Sequence, residues 1–543
     1  MNKTDYIIVG AGSAGCVLAN RLSADASVSV TLIEAGKWDR NPFIHMPAGY
    51  FALMKTGIVD WGYYSTPQPT LYGRTLYCPR GKVIGGSSSV NGMVYVRGHP
   101  TDYDQWAQQG NIGWSYEDCL PFFNKAEGCV IPGLNARGKS GPIKTSRYGV
   151  RHPYSVAFVA ACQEMGINYS DDINSGEQEG VAPLDSSMDG PYRSSSATAY
   201  LHPVRSRKNL TILTRTFVSR VVVHEGRTVG VEIIRNGSCQ TIFCSREVIL
   251  SGGAVNSPTI LQLSGIGDPE DLKRAGVTLR HALRGVGKNL QDHPGTVIKQ
   301  LSSKPLSLYP HTKLARAAWS LAQYILTRSG QAAYHGIETQ AFLRTRDGLA
   351  APDIQSYMIN LMYGDSGRKI IQKHGFMVII TLQRPASRGH IRIASNNPQN
   401  KPQIDLNYFE KRTDIDTLID GLKLCRKIVS QHAFDSVRSS ELTPGTDAQT
   451  DADLEQYVRN EAFSNYHLSG TCKMGPSSDP SAVVDSQLRV HGITGLRVID
   501  ASIMPSIVSG NTNAATIMIA EKGASLIQSD NRPFLAPEIG VGK

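Results

Sequence analysis

The stretch Tyr6-Ile7-Ile8-Val9-Gly10-Ala11-Gly12-Ser13-Ala14-Gly15 runs from a short apolar segment straight into a glycine-rich turn. Consecutive apolar residues ending at glycine read as a buried strand. Small and apolar residues at helical spacing follow from Ser13 to Leu22, and Val28 to Ile33 reads as a second strand. Strand, helix and strand in that order make a βαβ unit. The turn has the form G-x-G-x-x-G. Gly10 permits the tight turn, Gly12 lets the backbone approach a pyrophosphate, and Gly15 lets the helix pack closely on the strand. A pyrophosphate then sits at the helix N-terminus, where free N–H groups and the dipole favour negative charge. Glu34 follows the second strand, 19 residues after Gly15. That is close to the spacing of about 20 at which a carboxylate accepts hydrogen bonds from a ribose. The turn specifies a dinucleotide and does not separate NAD from FAD.

The chain has 543 residues, more than one core serves, so two or more domains are expected, built from discontinuous segments. Further strands are expected at Val218 to His224, Val229 to Arg235, Glu247 to Leu250 and Leu496 to Ile499. Helices are expected at Ser257 to Leu263, Thr413 to Val429 and Ala515 to Ile527. The fold class is therefore α/β. The tail from Asn531 to Lys543, with Pro533, Pro537, Gly540 and Gly542, is expected to be extended.

A formal net charge of +10 raises nucleic acid, an anionic membrane or an acidic ligand as partners. The basic residues are spread along the chain, with no dense Lys/Arg run and no aromatic-interleaved basic patch, which argues against nucleic acid. Nine cysteines, an odd number with no C-x-x-C pair, argue against a disulfide framework or a zinc site. The N-terminus lacks the pattern of a secretory signal, and no apolar run is long enough to span a bilayer. These features predict a cytoplasmic protein, with peripheral contact on the inner face of a membrane as the alternative. One segment bears on that alternative. From His311 to Ser329, Leu314, Ala317, Trp319, Leu321, Tyr324, Ile325 and Leu326 are interspersed with Lys313, Arg316 and Arg328. A basic helix with Trp and Leu can lie on a membrane surface. Covering its own domain is the commoner role and is the expectation here.

A second glycine- and serine-rich stretch, Arg80-Gly81-Lys82-Val83-Ile84-Gly85-Gly86-Ser87-Ser88-Ser89-Val90-Asn91-Gly92, offers backbone N–H groups and hydroxyls to a phosphate or a polar ring. Two such loops about 70 residues apart suit a cofactor lying across two places. The run from Gly81 through Gly98 to Asp104 resembles the first signature of the glucose-methanol-choline (GMC) oxidoreductases, FAD enzymes that oxidise alcohols. Gly253-Ala254-Val255-Asn256-Ser257-Pro258-Thr259-Ile260-Leu261-Gln262-Leu263-Ser264-Gly265-Ile266-Gly267 resembles the second, and Gly285-Val286-Gly287-Lys288-Asn289-Leu290-Gln291-Asp292-His293 is a further block of that kind. The resemblance extends from about Asp5 to about Ile527 and is nearest to the bacterial choline dehydrogenase and alkanol dehydrogenase branch.

The resemblance implies a discontinuous Rossmann-like FAD domain and an α+β substrate domain with an antiparallel sheet. It places the FAD-binding part at 1–293, mainly the substrate domain at 294–460, a return to the FAD domain at 461–528 and a tail at 529–543. It implies FAD contacts at Gly10, Gly12, Ser13, Ala14, Gly15, Glu34 and Ala35. It implies others at Gly81, Val83, Gly86, Ser87, Asn91, Gly92, Met93, Val94, Val218, Asp500, Ala501, Thr512 and Asn513. Some members attach FAD through a histidine at the position held here by Val90, so FAD is expected to be non-covalent. For Asp500 a helix or turn cap is the alternative role.

In the C-terminal part, His467 lies in Tyr466-His467-Leu468-Ser469-Gly470 and Asn511 in Val508-Ser509-Gly510-Asn511-Thr512-Asn513. By resemblance His467 is the catalytic base and Asn511 its partner. Oxidising an alcohol moves a hydride from carbon, here to flavin N5, and a proton from oxygen. A histidine suits the proton, and a neutral amide can hydrogen-bond the alkoxide without competing as a base. Relatives usually carry proline after the histidine; here Leu468 stands there. Between Pro294 and Ala386, His311, His335, Tyr357, Met358, Met362, Tyr363 and Phe376 suggest a fairly hydrophobic primary alcohol. The expected activity is that of a dehydrogenase passing electrons to a quinone or other carrier; the alternatives are an oxidase using O2 and releasing H2O2 and, after it, a hydroxynitrile lyase type.

Overall fold

The computed structural model describes residues 4–530, so the expectation for the tail from Asn531 lies outside the described residues. The opening unit forms as the period of its sequence requires: β1 (Thr4–Val9), α1 (Ser13–Leu22) and β2 (Val30–Ile33), with β1 and β2 parallel. Two short helices follow, α2 (Pro42–His45) and α3 (Gly49–Thr56). The chain then contributes β3 (Gly180–Pro183) to a second sheet before returning with β4 (Leu210–Leu213), β5 (Phe217–His224), β6 (Arg227–Arg235) and β7 (Ser238–Leu250). The first sheet has the order β5-β6-β7-β1-β2-β4. β7 joins its two halves. The N-terminal half of β7 pairs antiparallel with β6 from Ser238 to Phe243, and its C-terminal half pairs parallel with β1 from Cys244 to Leu250. α4 (Gly253–Leu263) then leaves the end of β7.

The second sheet is antiparallel throughout. It comprises β8 (Pro294–Ser302), β9 (Ile337–Leu343), β10 (Ile354–Ile359), β11 (Gly375–Leu382) and β12 (Arg438–Thr443), in the order β12-β8-β11-β10-β9-β3. β3 thus comes to this sheet from inside the stretch 1–293. α5 (Leu314–Thr327) lies between β8 and β9 in the chain. α6 (Arg412–Ser430) packs Ile415, Leu418, Ile419, Leu422, Cys425 and Val429 against one face, at the i, i+3, i+4 spacing of an amphipathic helix. Each such fully buried aliphatic side chain contributes ~1.5–3 kcal/mol. Strand alternation sorts β11: Val378, Ile380 and Leu382 meet α6, while Met377 and Ile379 face the other way.

β13 (Phe463–Ser464) pairs with β8, and β14 (Leu496–Val498) crosses back to pair in parallel with β7. The final helix, α7 (Asn513–Ser529), packs on α1, where Arg21 and Glu521 form a 2.6 Å ion pair and Ser13 Oγ donates to Asn513 Oδ1 at 2.8 Å. Helices from the first and last parts of the described residues therefore share one layer. The cleft lies between the first sheet and the Met377/Ile379 face of the second.

Candidate active site

The glycines of the first turn each meet a different constraint. Gly10 has φ +98°, a left-handed conformation open to glycine, and an added Cβ there would lie 2.6 Å from Ser251 O. A Cβ on Gly15 would lie 1.8 Å from Gly10 O, so α1 can approach β1 because that position is bare. A Cβ on Gly12 would find no protein atom nearer than 3.9 Å. Protein packing therefore does not demand glycine at 12, and its side-chain space opens into the cleft. The N-terminus of α1 has no side-chain cap and no acidic residue in its first turn. That leaves its N–H groups to an anion such as a pyrophosphate.

The second glycine loop lies against the first rather than at a distance from it. Gly85 N donates to Ala11 O at 2.7 Å, and a Cβ on Gly86 would come within 2.7 Å of Gly12 Cα. The two loops form one wall. Glu34 closes it: its carboxylate accepts from Ala11 N at 2.9 Å and Gly36 N at 2.7 Å. Burial raises its carboxyl to about 7, against the pull of those two donors. Each oxygen keeps a lone pair for a ribose hydroxyl.

Of the residues expected to bind cofactor, Gly10, Gly12, Ser13, Ala14, Glu34, Ala35, Gly81, Gly86, Ser87, Asn91, Gly92, Met93, Val94, Val218, Asp500, Ala501, Thr512 and Asn513 all line this one cleft. Gly15 and Val83 do not line it; both are packed behind the wall. Asp500 lines the cleft and also makes capping bonds. Its carboxylate accepts from Gly253 N at 2.8 Å, Ser257 Oγ at 2.6 Å and Ser502 N at 2.8 Å, so it holds the N-terminus of α4. Val90 lines the cleft, packed beside Val83, Ile44 and Leu53.

His467 and Asn511 meet on the far side of the same cleft. His467 reaches it on a short segment bridged to 291–293: Ser469 N donates to Gln291 O at 2.9 Å, and Gln291 N returns the bond at 3.0 Å. Asp292 anchors both chains, accepting from His467 N at 2.8 Å and from His293 N at 2.9 Å. The half-buried Arg80 grips the carbonyl of Tyr466, which sits at φ +66° just before the histidine. Leu468, in place of the usual proline, is buried in the core under the second sheet, while the residues on either side of it are held by these bonds.

The geometry assigns the tautomers. Asn511 Nδ2 donates to His467 Nε2 at 3.0 Å, while Asn511 Oδ1 accepts from Tyr357 OH at 2.8 Å. Nε2 is then bare, and the ring proton is on Nδ1, 2.9 Å from Nδ1 of His293. Burial holds His467 well below the usual imidazole range, helped by His293 and Arg80, and burial pushes His293 down to about 3. His467 is therefore a neutral imidazole at physiological pH, with its Nε2 lone pair on the cleft side and held by the Asn511 amide. A hydroxyl entering between Nε2 and Asn511 would donate to the first and accept from the second.

Residues 4–295 and 385–520 match the two family models described as GMC oxidoreductase. The chain belongs to the GMC oxidoreductases. It is 45% identical over 534 residues to the mitochondrial choline dehydrogenase of Homo sapiens, covering 97% of this chain and 90% of the relative. It is 42% identical to the oxygen-dependent choline dehydrogenase of Photobacterium profundum, covering 97% and 93%. Among solved structures, pyridoxine 4-oxidase from Mesorbium loti superposes with a TM-score of 0.89 at 31% identity, covering 98% of this chain and all of that one. A formate oxidase from Aspergillus oryzae RIB40 superposes at 0.91 with 26% identity, covering 98% and 99%. FAD is the cofactor of this GMC oxidoreductase, and the enzyme oxidises alcohols.

Sequence reasoning gave no role to His293, Asp292 or Arg80, although two of them end a quoted block. The signal was present: a histidine directly after a buried-type carboxylate in a motif that pairs with nothing nearby in sequence. The substrate-side residues divide by strand face. Tyr357 and Tyr363 line the cleft, whereas Met358 and Phe376 face the core under α6. His335 bonds Ser186 Oγ at 2.8 Å, away from the cleft, and burial pushes it down to about 4.

Proposed function

We propose that this GMC oxidoreductase is a dehydrogenase that converts a fairly hydrophobic primary alcohol to its aldehyde and passes the electrons to a quinone or other carrier. The His467–Asn511 pair opening onto an apolar wall carries the reading. Val297, Ile337, Tyr357, Ile359, Met377, Ile379 and Phe463 line that side of the cleft. The nearby carboxylates are already engaged: Asp60 accepts from Tyr77 OH at 2.6 Å, Asp365 pairs with Arg368 at 2.7 Å, and Glu461 pairs with Lys299 at 3.2 Å. FAD held by the two glycine loops and Glu34 supplies the hydride acceptor. His467 Nε2 takes the hydroxyl proton, its Nδ1–H keeps its bond to His293, and Asn511 steadies the developing alkoxide. A choline-like alcohol is the second reading. It draws on the names of the relatives, and aromatic faces such as Tyr357 and Phe463 would receive its ammonium group.

The test is anaerobic flavin bleaching with a panel of aliphatic, aromatic and amino alcohols. Aliphatic alcohols should bleach the flavin most rapidly. His467→Ala should slow bleaching by about 10²–10⁴-fold while the protein stays yellow; reduction at the parent rate sinks the mechanism. Rapid peroxide formation in air, with no added carrier, would make the enzyme an oxidase. A flavin that the product-forming substrate never bleaches would instead favour a lyase.

A further inference from the structure

Helix α5 is built inside out. Leu314, Trp319, Ile325 and Leu326 are 87%, 71%, 57% and 81% exposed, whereas Ser320 and Tyr324 are buried beneath them. At 3.6 residues per turn, Leu314, Ala315, Ala318, Trp319, Ala322, Ile325 and Leu326 fall within one arc of about 140°. A surface helix ordinarily turns such a stripe to the core. Here the core side is satisfied by other means: Tyr324 packs with Met46, Ala332 and Ala333, and its hydroxyl donates to Pro191 O at 3.0 Å. Scattered exposed apolar residues need no explanation, but a contiguous stripe marks an interaction surface.

We propose that α5 docks the enzyme onto an anionic phospholipid surface. Charge selects the occupant. From Leu301 to Ile337 the sequence carries Lys304, Lys313, Arg316 and Arg328 and no acidic residue. All four basic residues are exposed, and among the described residues none forms an ion pair with a carboxylate. A second copy of the chain docking through the same face would set like charges against one another. Acidic headgroups complement them, each basic side chain adding to the attraction within a Debye length of the surface. No helix among the described residues is long and apolar enough to cross a membrane, so the contact is one in which α5 lies in the interfacial plane. The expectation that this helix covers its own domain holds for the Tyr324 and Leu321 side, while the apolar stripe lies on the exposed side. α5 also sits close to the chemistry: it packs on Phe43 and Met46 beside α3, whose Tyr50, Phe51 and Met54 line the cleft. A carrier dissolved in the bilayer would be met near that wall.

Flotation of the holoenzyme with vesicles tests the proposal without turnover, so its outcome is separate from the identity of the alcohol. The enzyme should float with phosphatidylglycerol-containing vesicles and much less with pure phosphatidylcholine or at high salt. Trp319→Ser with Leu326→Ser, and separately Lys313→Glu with Arg316→Glu, should each lower vesicle partition by about tenfold or more. Flavin content and alcohol oxidation with a soluble dye should stay at the parent level, which shows that the variants fold. Three results overturn the proposal: no flotation, flotation that neither pair of substitutions reduces, or a lipid-free dimer that the Trp319/Leu326 substitutions dissociate.

Discussion

At the scale of the residue, the chemistry rests on a histidine kept neutral by its surroundings. His467 has a buried ring, a second histidine on Nδ1 and an amide on Nε2, and each of these favours the uncharged form. Val90 makes the complementary point about the cofactor. It lines the cleft in an apolar cluster with Val83, Ile44 and Leu53 and carries no atom able to bond a flavin. Acid precipitation should therefore release all the flavin into the supernatant, read by its absorbance. Yellow pellets would contradict this.

At the scale of the element, the βαβ turn separates two uses of glycine. Gly15→Ala forces a Cβ to 1.8 Å from Gly10 O, a backbone atom that cannot swing aside. Overpacking of this kind costs about 1–3 kcal/mol. The variant should lose thermal stability and flavin together. Gly12→Ala meets no protein atom nearer than 3.9 Å, so the apoprotein should melt like the parent while FAD affinity falls. Equal melting losses in the two apoproteins would show that Gly12 serves packing and not the ligand.

At the scale of the whole molecule, buried ionisable groups pull stability in opposite directions with pH. His335 titrates near 4 in the folded chain and near 6.5 when unfolded. Between those values the unfolded chain binds more protons, so this contribution is present above pH 6.5 and is lost as pH falls. Glu34, raised to about 7, has the reverse sign, and Asp292 and Asp500, raised by burial, act with it. The net slope mixes these terms, but one substitution isolates a single term. His335→Gln should shrink the stability lost between pH 7 and pH 5 by about 2 kcal/mol, measured by urea unfolding. An unchanged pH dependence would mean that the ring is not held neutral.

The sequence by itself determined β1, β2, β5, β6, the end of β7 and β14 of the first sheet, its glycine turn and the helices α1, α4, α6 and α7, because their signals are local. Apolar runs of period 2 or 3.6 and glycines at fixed offsets need only neighbouring residues to be read. It also placed His467 and Asn511, through long motifs. It did not reveal β8, β9, β10 and β11, whose residues are buried on both faces and so lack a clean alternation. Tertiary structure alone brought His293, Tyr357, Asn511 and His467 to one point, from four segments that share no local signal. It alone turned the stripe of α5 outward. Periodicity says that a helix has an apolar face, but only the packing of its neighbours decides whether that face meets the core or the solvent.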